Sequence, residues 1–269
     1  MNCKFDYEKI VELYTKYQNS TLVAKELKCS AATVCKVLKR YNIPVCRRLK
    51  HYFDLNFFEK IDTEEKAYWL GFLYADGGVT TKNNKYTLAL SLATKDIKHL
   101  EKFKKNLNAT NPIRTKPGSG YLPNNYYVSL ELYSKKLVTD LINVGCYPNK
   151  SLTLKFPNTN YFNDPSLIRH FIRGYFDGDG SVFISNEKHW RHKRIFPVIH
   201  FRFCGTYEML SEIQKILNIG GTLKHSKSAH NNYELAYKRR KRAKIFMEYL
   251  YKDATIYLDR KYQIFKNNL

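Results

Sequence analysis

The sequence lacks several features that mark whole classes of proteins. No run of about 18 apolar residues occurs, so we expect no membrane-spanning helix. The stretch MNCKFDYEKI shows no apolar signal region. Six cysteines occur without a C-x-x-C pair, which disfavours a zinc site and predicts reduced thiols. Neither a Gly-rich phosphate loop nor a Ser/His/Asp arrangement stands out, so we expect no small-molecule cofactor.

Acidic residues are also scarce. The 24 Asp and Glu stand against 46 Lys and Arg, which gives a formal net charge of +22. Lys and Arg outnumber Asp and Glu in each of the ranges 1–60, 61–150 and 151–269, so the positive charge is not confined to a basic tail. A broad positive surface suits a polyanion, most simply nucleic acid. Charge that only aids solubility is the alternative.

Residues 6–43 predict a small helical domain. Apolar residues recur at helical spacing, Ser30 is placed to cap the last helix, and Pro44 closes it. Two short helices, a tight turn and a basic last helix are typical of a helix-turn-helix, although an ordinary three-helix bundle fits as well. We predict a DNA-binding domain over 1–45 and a linker over 46–62. Its DNA contacts would come from Lys36, Lys39 and Arg40.

The remainder of the chain is an internal duplication. The segment AYWLGFLYADGGV (67–79) corresponds to IRHFIRGYFDGDGSV (168–182), and Asp76 and Asp179 lie 103 positions apart. Each segment precedes an alternating apolar stretch, an amphipathic helix, two short strands and a closing helix. The pattern αββαββα occurs twice, over 63–150 and 151–269. We therefore predict an α+β fold with two pseudo-symmetric, saddle-shaped antiparallel sheets behind a small all-α domain.

These two segments resemble the paired signature helices of LAGLIDADG homing endonucleases. The resemblance extends from about residue 64 through the closing stretch LYKDATIYLDRKYQIF. It implies two symmetry-related helices that pair across a pseudo-twofold axis. Small residues at Gly71 and Ala75, and at Gly174 and Gly178, would let the helix backbones approach closely.

The paired helices would bring Asp76 and Asp179 together at two negative helix ends. A hard divalent cation resolves that repulsion, so we predict Mg²⁺ at this site. Mn²⁺ can substitute, whereas Ca²⁺ is expected to bind without supporting cleavage. By resemblance, the carbonyls of Ala75 and Gly178 would also coordinate the metal. The resemblance further implies a catalytic basic residue where the last strand of each half enters the closing helix. The candidates there are Lys135, Lys136, Arg239 and Arg240.

Other interpretations of the acidic segment are weaker. Asp177 has no acidic counterpart in the first copy, where Tyr74 stands, and the family uses this position structurally. An EF-hand loop starting at Asp177 fails at its sixth and twelfth positions, Val182 and Lys188. Two ordinary Asp-Gly turns would not explain the matched elements downstream. The pair His189 and His192 lies in a charged insertion, which we interpret as a solvated or DNA-facing loop.

The polar faces of the two sheets would lie along the major groove on both sides of the cut. The predicted contacts there are Arg114, Lys116, His200, Arg202 and Lys224. Arg and Lys can contact guanine edges, and the other basic residues would contact phosphates.

The resemblance thus implies a monomeric, intracellular, site-specific endonuclease that cuts double-stranded DNA. It would promote the mobility of an intron, an intein or a free-standing gene, in a cytosol-like or organellar compartment or a phage-infected cell. A DNA-binding regulator that has lost catalysis and an RNA maturase are the alternatives.

Overall fold

The computed structural model describes residues 6–17, 20–45, 51–118, 126–188, 194–226 and 230–269. It divides the chain into two compact units, Met1–His51 and Tyr52–Leu269. The insertion that holds His189 and His192 lies outside the described residues, so its prediction stays open. In the part of the chain that is described, every helix is too short or too polar to cross a membrane.

The first unit consists of three short helices. They are α1 (Tyr7–Tyr17), α2 (Ser20–Glu26) and α3 (Ala31–Arg40). The Ser30 hydroxyl accepts a hydrogen bond of 3.1 Å from the Thr33 amide, so the predicted N-cap of α3 is present. Buried apolar side chains from all three helices form one core, namely Ile10, Leu13, Tyr14, Val23, Ala24, Val34, Val37 and Leu38. The basic side chains Lys36, Lys39 and Arg40 are exposed on α3.

The second unit contains the duplicated frame. Its first half runs α4 (Glu64–Asp76), β1 (Gly77–Thr80), β2 (Thr87–Ala93), α5 (Ile97–Asn106), β3 (Arg114–Pro117), β4 (Tyr126–Tyr133) and α6 (Lys135–Asn143). Its second half runs α7 (Ile168–Asp179), β5 (Gly180–Lys188), β6 (Ile195–Gly205), α8 (Tyr207–Leu217), β7 (Thr222–His225), β8 (Tyr233–Lys238) and α9 (Arg240–Tyr251). The additional helix α10 (Asp259–Asn268) follows the second half. The order αββαββα is therefore confirmed in both copies.

Each half forms one antiparallel sheet of four strands. The strand orders are β1-β2-β4-β3 and β5-β6-β8-β7, so the two sheets have the same topology. Alternation along β2 and β6 directs one face into the core, where Leu88, Leu90, Leu92, Ile199, Phe201 and Phe203 are buried. The opposite face carries the polar and charged side chains. These observations give the α+β fold expected from the sequence.

Helices α4 and α7 pack together through their glycines. A Cβ atom built on Gly71 would lie 2.0 Å from the Phe171 carbonyl oxygen. A Cβ atom built on Gly174 would lie 1.9 Å from the Tyr68 carbonyl oxygen. The two contacts are related by the same offset of 103 positions that relates the aspartates. Backbone-to-backbone contact therefore runs along the pseudo-twofold axis, and any side chain at these positions would force the helices apart.

Residues 46–62 were predicted to form a linker, but residues 52–62 belong to the second unit. This stretch packs into the second unit, where Phe57, Phe58 and Ile61 are buried. The Thr110 amide donates to the Tyr52 carbonyl and the Asp54 amide donates to the Leu107 carbonyl, at 2.8 Å each. The aromatic pair in DLNFFEK is the part of this stretch that is buried. Residues 46–50 lie outside the described residues.

We predict that Gly174→Ala lowers the free energy of unfolding of the second unit by about 1–3 kcal/mol, because the added methyl group overlaps a backbone oxygen. Urea unfolding followed by tryptophan fluorescence measures this unit alone, since both tryptophans, Trp69 and Trp190, belong to it. Gly78→Ala is the matched control, because its Cβ atom would make an ordinary contact of 3.5 Å with the Ala89 oxygen. Equal stability of the two variants would contradict the packing argument.

Candidate active site

The two signature helices end side by side on Asp76 and Asp179. Each aspartate is the last residue of its helix, and a strand begins at the next residue. A Cβ atom built on Gly178 would lie 2.3 Å from the Ala75 Cβ atom and 3.5 Å from the Asp76 Oδ2 atom. The backbone before the second acid therefore reaches the carboxylate of the first. The predicted convergence of Asp76 and Asp179 at one place is what the structure shows.

Burial at the helix ends raises the pKa of both acids. Burial, and then the charge of Asp76, raise the pKa of the Asp179 carboxyl to about 7. Burial also raises the pKa of Asp76, although Lys261 and Lys150 act in the opposite direction. The site thus concentrates negative charge that it does not fully neutralise.

Lys261 lies against the C-terminal end of α7. This side chain is 3% exposed, and its ammonium donates to the carbonyls of Phe176, Asp177 and Gly178 at 2.8, 2.7 and 3.3 Å. It also donates to the Gly180 carbonyl. Burial lowers the pKa of Lys261 to about 8, while nearby acids favour the charged form. A cation therefore already occupies the negative end of this helix.

Lys150 occupies the corresponding place in the first half. It is 7% exposed, and its ammonium donates to the carbonyl of Gly77, the residue after Asp76. Lys261 contacts Gly180, the residue after Asp179, in the same way. Both lysines thus flank the acid pair, one from each half, and both charges act on the two aspartates.

The basic residues proposed from the sequence have other partners. Lys136 forms ion pairs with Glu59 at 2.7 Å and Asp140 at 2.9 Å, and Arg240 donates to the Leu269 carbonyl. Lys135 lies 5.7 Å from the centre of the Tyr86 ring, and Arg239 is the N-cap residue of α9. The lysines whose charges most lower the pKa values of the acid pair are Lys150 and Lys261. The structure brings Lys150 and Lys261 to the site instead.

The sequence does contain a signal for one of the missed lysines. In α10, Lys261 stands between Leu258 and Phe265 at helical spacing, on the face that is buried. A lysine within an apolar stripe needs a specific partner, because burying an unpaired ammonium is costly. Lys150 follows a short turn, and no comparable periodicity marks it.

Two further charged side chains of α7 are fully buried and have structural partners. Arg173 donates to the carbonyls of Leu250 and Ile256 and forms an ion pair with Glu64 at 2.5 Å. Asp177 accepts hydrogen bonds from the Tyr68 and Tyr251 hydroxyls. Asp177 also accepts a hydrogen bond from the Leu258 amide.

The donor set at the helix ends fits a hard divalent cation. It contains the carboxylates of Asp76 and Asp179, and the carbonyls of Ala75 and Gly178 lie just before them. Among the described residues, no three His, Cys, Asp or Glu side chains lie close enough together to hold a metal ion. The protein therefore offers only a partial ligand shell. Mg²⁺ commonly uses one or two carboxylates and takes its remaining ligands from water and substrate phosphates. Burial is the first cause of the raised pKa of Asp179 and the charge of Asp76 is the second, and a cation between the two carboxylates would relieve their repulsion.

The predicted DNA contacts lie on the polar faces of the sheets. Arg114 is exposed, while Lys116 pairs with Glu131. In the second sheet, Arg202 donates to Ser181 and to Glu234, both at 2.9 Å. The other two predicted contacts also have neighbours: Lys224 lies 3.4 Å from Glu234, and the His200 ring stacks on Phe183 at 5.1 Å.

Comparison with known proteins finds a family match in the second half. Residues 172–266 match the LAGLIDADG endonuclease family model. The matched range contains Asp179 and Lys261. The fold of the whole second unit is also that of solved LAGLIDADG enzymes. The I-LtrWI LAGLIDADG homing endonuclease bound to target DNA is 12% identical, with a TM-score of 0.53 over 80% of this chain and 90% of that chain.

Two other relatives extend the comparison. The meganuclease I-SmaMI bound to uncleaveable DNA is 13% identical, with a TM-score of 0.53 over 75% of this chain and 86% of that chain. The Methanocaldococcus jannaschii protein called "Uncharacterized protein MJ0314" is 28% identical, over 69% of this chain and 85% of its own length. At these identities the structural likeness establishes the LAGLIDADG fold.

We predict that Asp179→Asn stabilises the metal-free protein at pH 8 by roughly 1 to 3 kcal/mol. The folded carboxyl binds its proton more tightly than the unfolded one, so wild-type stability falls as the pH rises from about 4 to about 7. The asparagine removes that cost, and the difference between the proteins should shrink at pH 4.5. Urea unfolding in EDTA measures the effect.

Glu101→Gln is the control for this prediction, because it removes the same charge from an exposed site on α5. We expect its stability to follow the wild type at both pH values. A destabilised Asp179→Asn protein at pH 8 would contradict the argument that burial and the neighbouring Asp76 disfavour the charged carboxylate.

Proposed function

We propose that this chain is a metal-dependent, site-specific endonuclease that cuts both strands of double-stranded DNA. The observation that carries the proposal is the arrangement of Asp76 and Asp179 at the ends of paired helices, with Lys150 and Lys261 beside them. One acid and one lysine come from each half, which suits a substrate with two antiparallel strands. The basic surface and the fold support the same substrate.

Hydrolysis would add one water molecule to one phosphodiester in each strand. A bond forms between the water oxygen and phosphorus, and the bond from phosphorus to the 3′-oxygen breaks. The products are a 5′-phosphate and a 3′-hydroxyl, so the proton that leaves the water balances the proton that the leaving oxygen takes up. Bound Mg²⁺ would act as a Lewis acid on the phosphate.

The residues of this chain would contribute position and charge to that step. Asp76 and Asp179, with the carbonyls of Ala75 and Gly178, would hold the metal between the helix ends. The ammonium groups of Lys150 and Lys261 would stabilise the charge that develops on each phosphate. Since the pKa of Lys261 lies at about 8, this side chain can also exchange a proton near neutral pH.

The polar faces of the two sheets would hold the DNA on either side of the cut. Arg202 is oriented by Ser181 and Glu234, which suits a directed contact with a guanine edge. Arg114, Lys116, His200 and Lys224 would add base and phosphate contacts. The two faces carry different residues. The first has small side chains such as Ala89 and Ser91, whereas the second has the rings of Phe183 and His200. An asymmetric target follows from that difference.

The wider role would be the mobility of an intron, an intein or a free-standing gene, carried out by a monomer. Both signature helices lie in one chain, so a second copy is unnecessary for a complete acid pair. We expect Mg²⁺ as the metal, with Mn²⁺ able to replace it and Ca²⁺ able to support binding only. I-SmaMI has been solved with uncleaved DNA in the presence of calcium ions, and separately with cleaved DNA.

The decisive experiment selects cleaved sites from a randomised duplex library in the presence of Mg²⁺. Asp76→Asn and Asp179→Asn should each lower the cleavage rate at the recovered site by at least about a hundredfold, because each removes a metal ligand. Binding of the same duplex in Ca²⁺, measured by gel shift, should survive. Glu101→Gln serves as the control and should cleave like the wild type.

Three outcomes would contradict the proposal in different ways. Cleavage by the double variant at the wild-type rate would show that the acid pair is not the active site. Tight duplex binding without cleavage by the wild type would indicate a regulator. Activity in a group I intron splicing assay, with no cleavage of DNA, would indicate a maturase.

We further propose that the first unit is a helix-turn-helix domain that adds DNA contacts through α3. Replacing Lys36, Lys39 and Arg40 by alanine should weaken duplex binding and reduce the slope of affinity against salt by about one for each phosphate that is no longer neutralised. Cleavage at saturating protein should be unchanged. The matched control replaces three exposed cations elsewhere on this unit, Lys9, Lys25 and Lys28. An equal drop in affinity in both variants would show that only net charge matters.

A further inference from the structure

The residue two positions before each aspartate reaches the chain segment that carries the neighbouring lysine. These residues are Tyr74, before Asp76, and Asp177, before Asp179. They occupy the same position in the two copies, yet they differ in chemistry. We propose that Tyr74 positions Lys150 and that Asp177 positions Lys261, so that each residue controls cleavage of one DNA strand. This inference rests on the endonuclease function proposed above.

In the first half, the contact is made by a buried phenol. The Tyr74 hydroxyl donates to the Val144 carbonyl at 2.5 Å, where the chain leaves α6 and turns towards Lys150. A Cβ atom built on the next residue, Gly145, would lie 2.2 Å from the Tyr74 hydroxyl oxygen. The thiol of Cys146 lies 3.6 Å from the Leu73 carbonyl and adds a second contact to the same turn. The turn is thus fitted around the Tyr74 hydroxyl.

In the second half, the contact is made by a buried carboxylate. Asp177 accepts a hydrogen bond of 2.7 Å from the amide of Leu258, the N-cap residue of α10. Lys261 lies in the first turn of this helix, and its amide donates to the Leu258 carbonyl at 3.0 Å. The hydroxyls of Tyr68 and Tyr251 donate to Asp177 at 2.7 and 3.0 Å and fix the orientation of the carboxylate. Asp177 therefore fixes the position at which α10 begins, and this position in turn determines where Lys261 lies.

The contacts of Tyr74 and Asp177 lie in different halves of the protein, so each is expected to affect the cleavage of a different DNA strand. Each lysine donates to the residue after the aspartate of its own half, Gly77 or Gly180. DNA bound along the pseudo-twofold axis would present one scissile phosphate to each half. A displacement of one lysine by about 1 Å is enough to slow a step up to about a hundredfold. Removing one positioning hydrogen bond should thus affect one strand and leave the other unchanged.

The test measures the two strands separately. The full chain cuts, in Mg²⁺ and under single-turnover conditions, the duplex recovered from the library, with a different fluorophore on each strand. Lys150→Met and Lys261→Met identify the strand that depends on each lysine. Tyr74→Phe should then slow the Lys150 strand by about 10- to 100-fold. Asp177→Asn should slow the Lys261 strand by a similar factor.

Two more variants complete the design. Tyr251→Phe removes one donor from Asp177 and should slow the Lys261 strand to a smaller degree, and it replaces Asp177→Asn if that protein does not fold. Asp164→Asn is the matched control, because its carboxylate also accepts a backbone amide, from Ser166 at 2.7 Å, but is exposed and caps a turn that carries neither lysine. It should leave the ratio of the two strand rates unchanged.

Equal slowing of both strands by Tyr74→Phe or Asp177→Asn would overturn the inference, since a general loss of stability acts on both. So would slowing of the wrong strand, or no change in either rate. Failure of the wild type to cut any duplex would instead overturn the proposed function, so the two failures are distinguishable.

Discussion

The close contact of α4 and α7 is the constraint on which the rest of the second unit depends. At Gly71 and Gly174 the backbone of one helix touches a carbonyl oxygen of the other, and no side chain fits between them. This contact sets the pseudo-twofold axis and the distance between Asp76 and Asp179. It also sets where the two sheets begin, because β1 and β5 start at the residues that follow the aspartates. Packing and chemistry are therefore determined by the same few positions.

The charge at the helix ends is only partly balanced by the protein. The Lys261 ammonium shares its three N–H groups among four carbonyls at the end of α7, and Lys150 donates to one at the end of α4, so these main-chain oxygens have cationic partners. The two carboxylates still repel each other, and this repulsion adds to burial in raising the pKa of Asp179. Active sites commonly retain such repulsion because a ligand relieves it on binding. In this protein, binding of a metal and a phosphate would restore the stability that the repulsion between the two carboxylates costs.

The sequence was sufficient to predict the fold and the acid pair because repetition made their signal specific. Two copies of an apolar helix that ends in Asp-Gly, each followed by matching elements, are hard to obtain by chance. The flanking lysines were not predicted, since Lys150 and Lys261 reach the site from segments 73 and 81 residues after the glycines they contact. A cation's charge can be read from the sequence, but its partner depends on tertiary packing. The roles of Lys135 and Arg239 were assigned from resemblance to the family, and the structure gives both residues surroundings away from the acids.

The place of Lys261 on α10 has a consequence for how the active centre is assembled. Both acids, both sheets and the first lysine precede residue 252, but the second lysine lies on α10, which packs against the second half. Its docking closes a loop of about 80 residues onto Asp177 and Arg173, and closing long loops is the slow part of folding. A chain in which α10 has not docked would hold the two carboxylates with Lys150 but without Lys261. Docking of α10 therefore supplies the second lysine of the site, and under the proposed function DNA bound by a chain without that contact would be held without being cut.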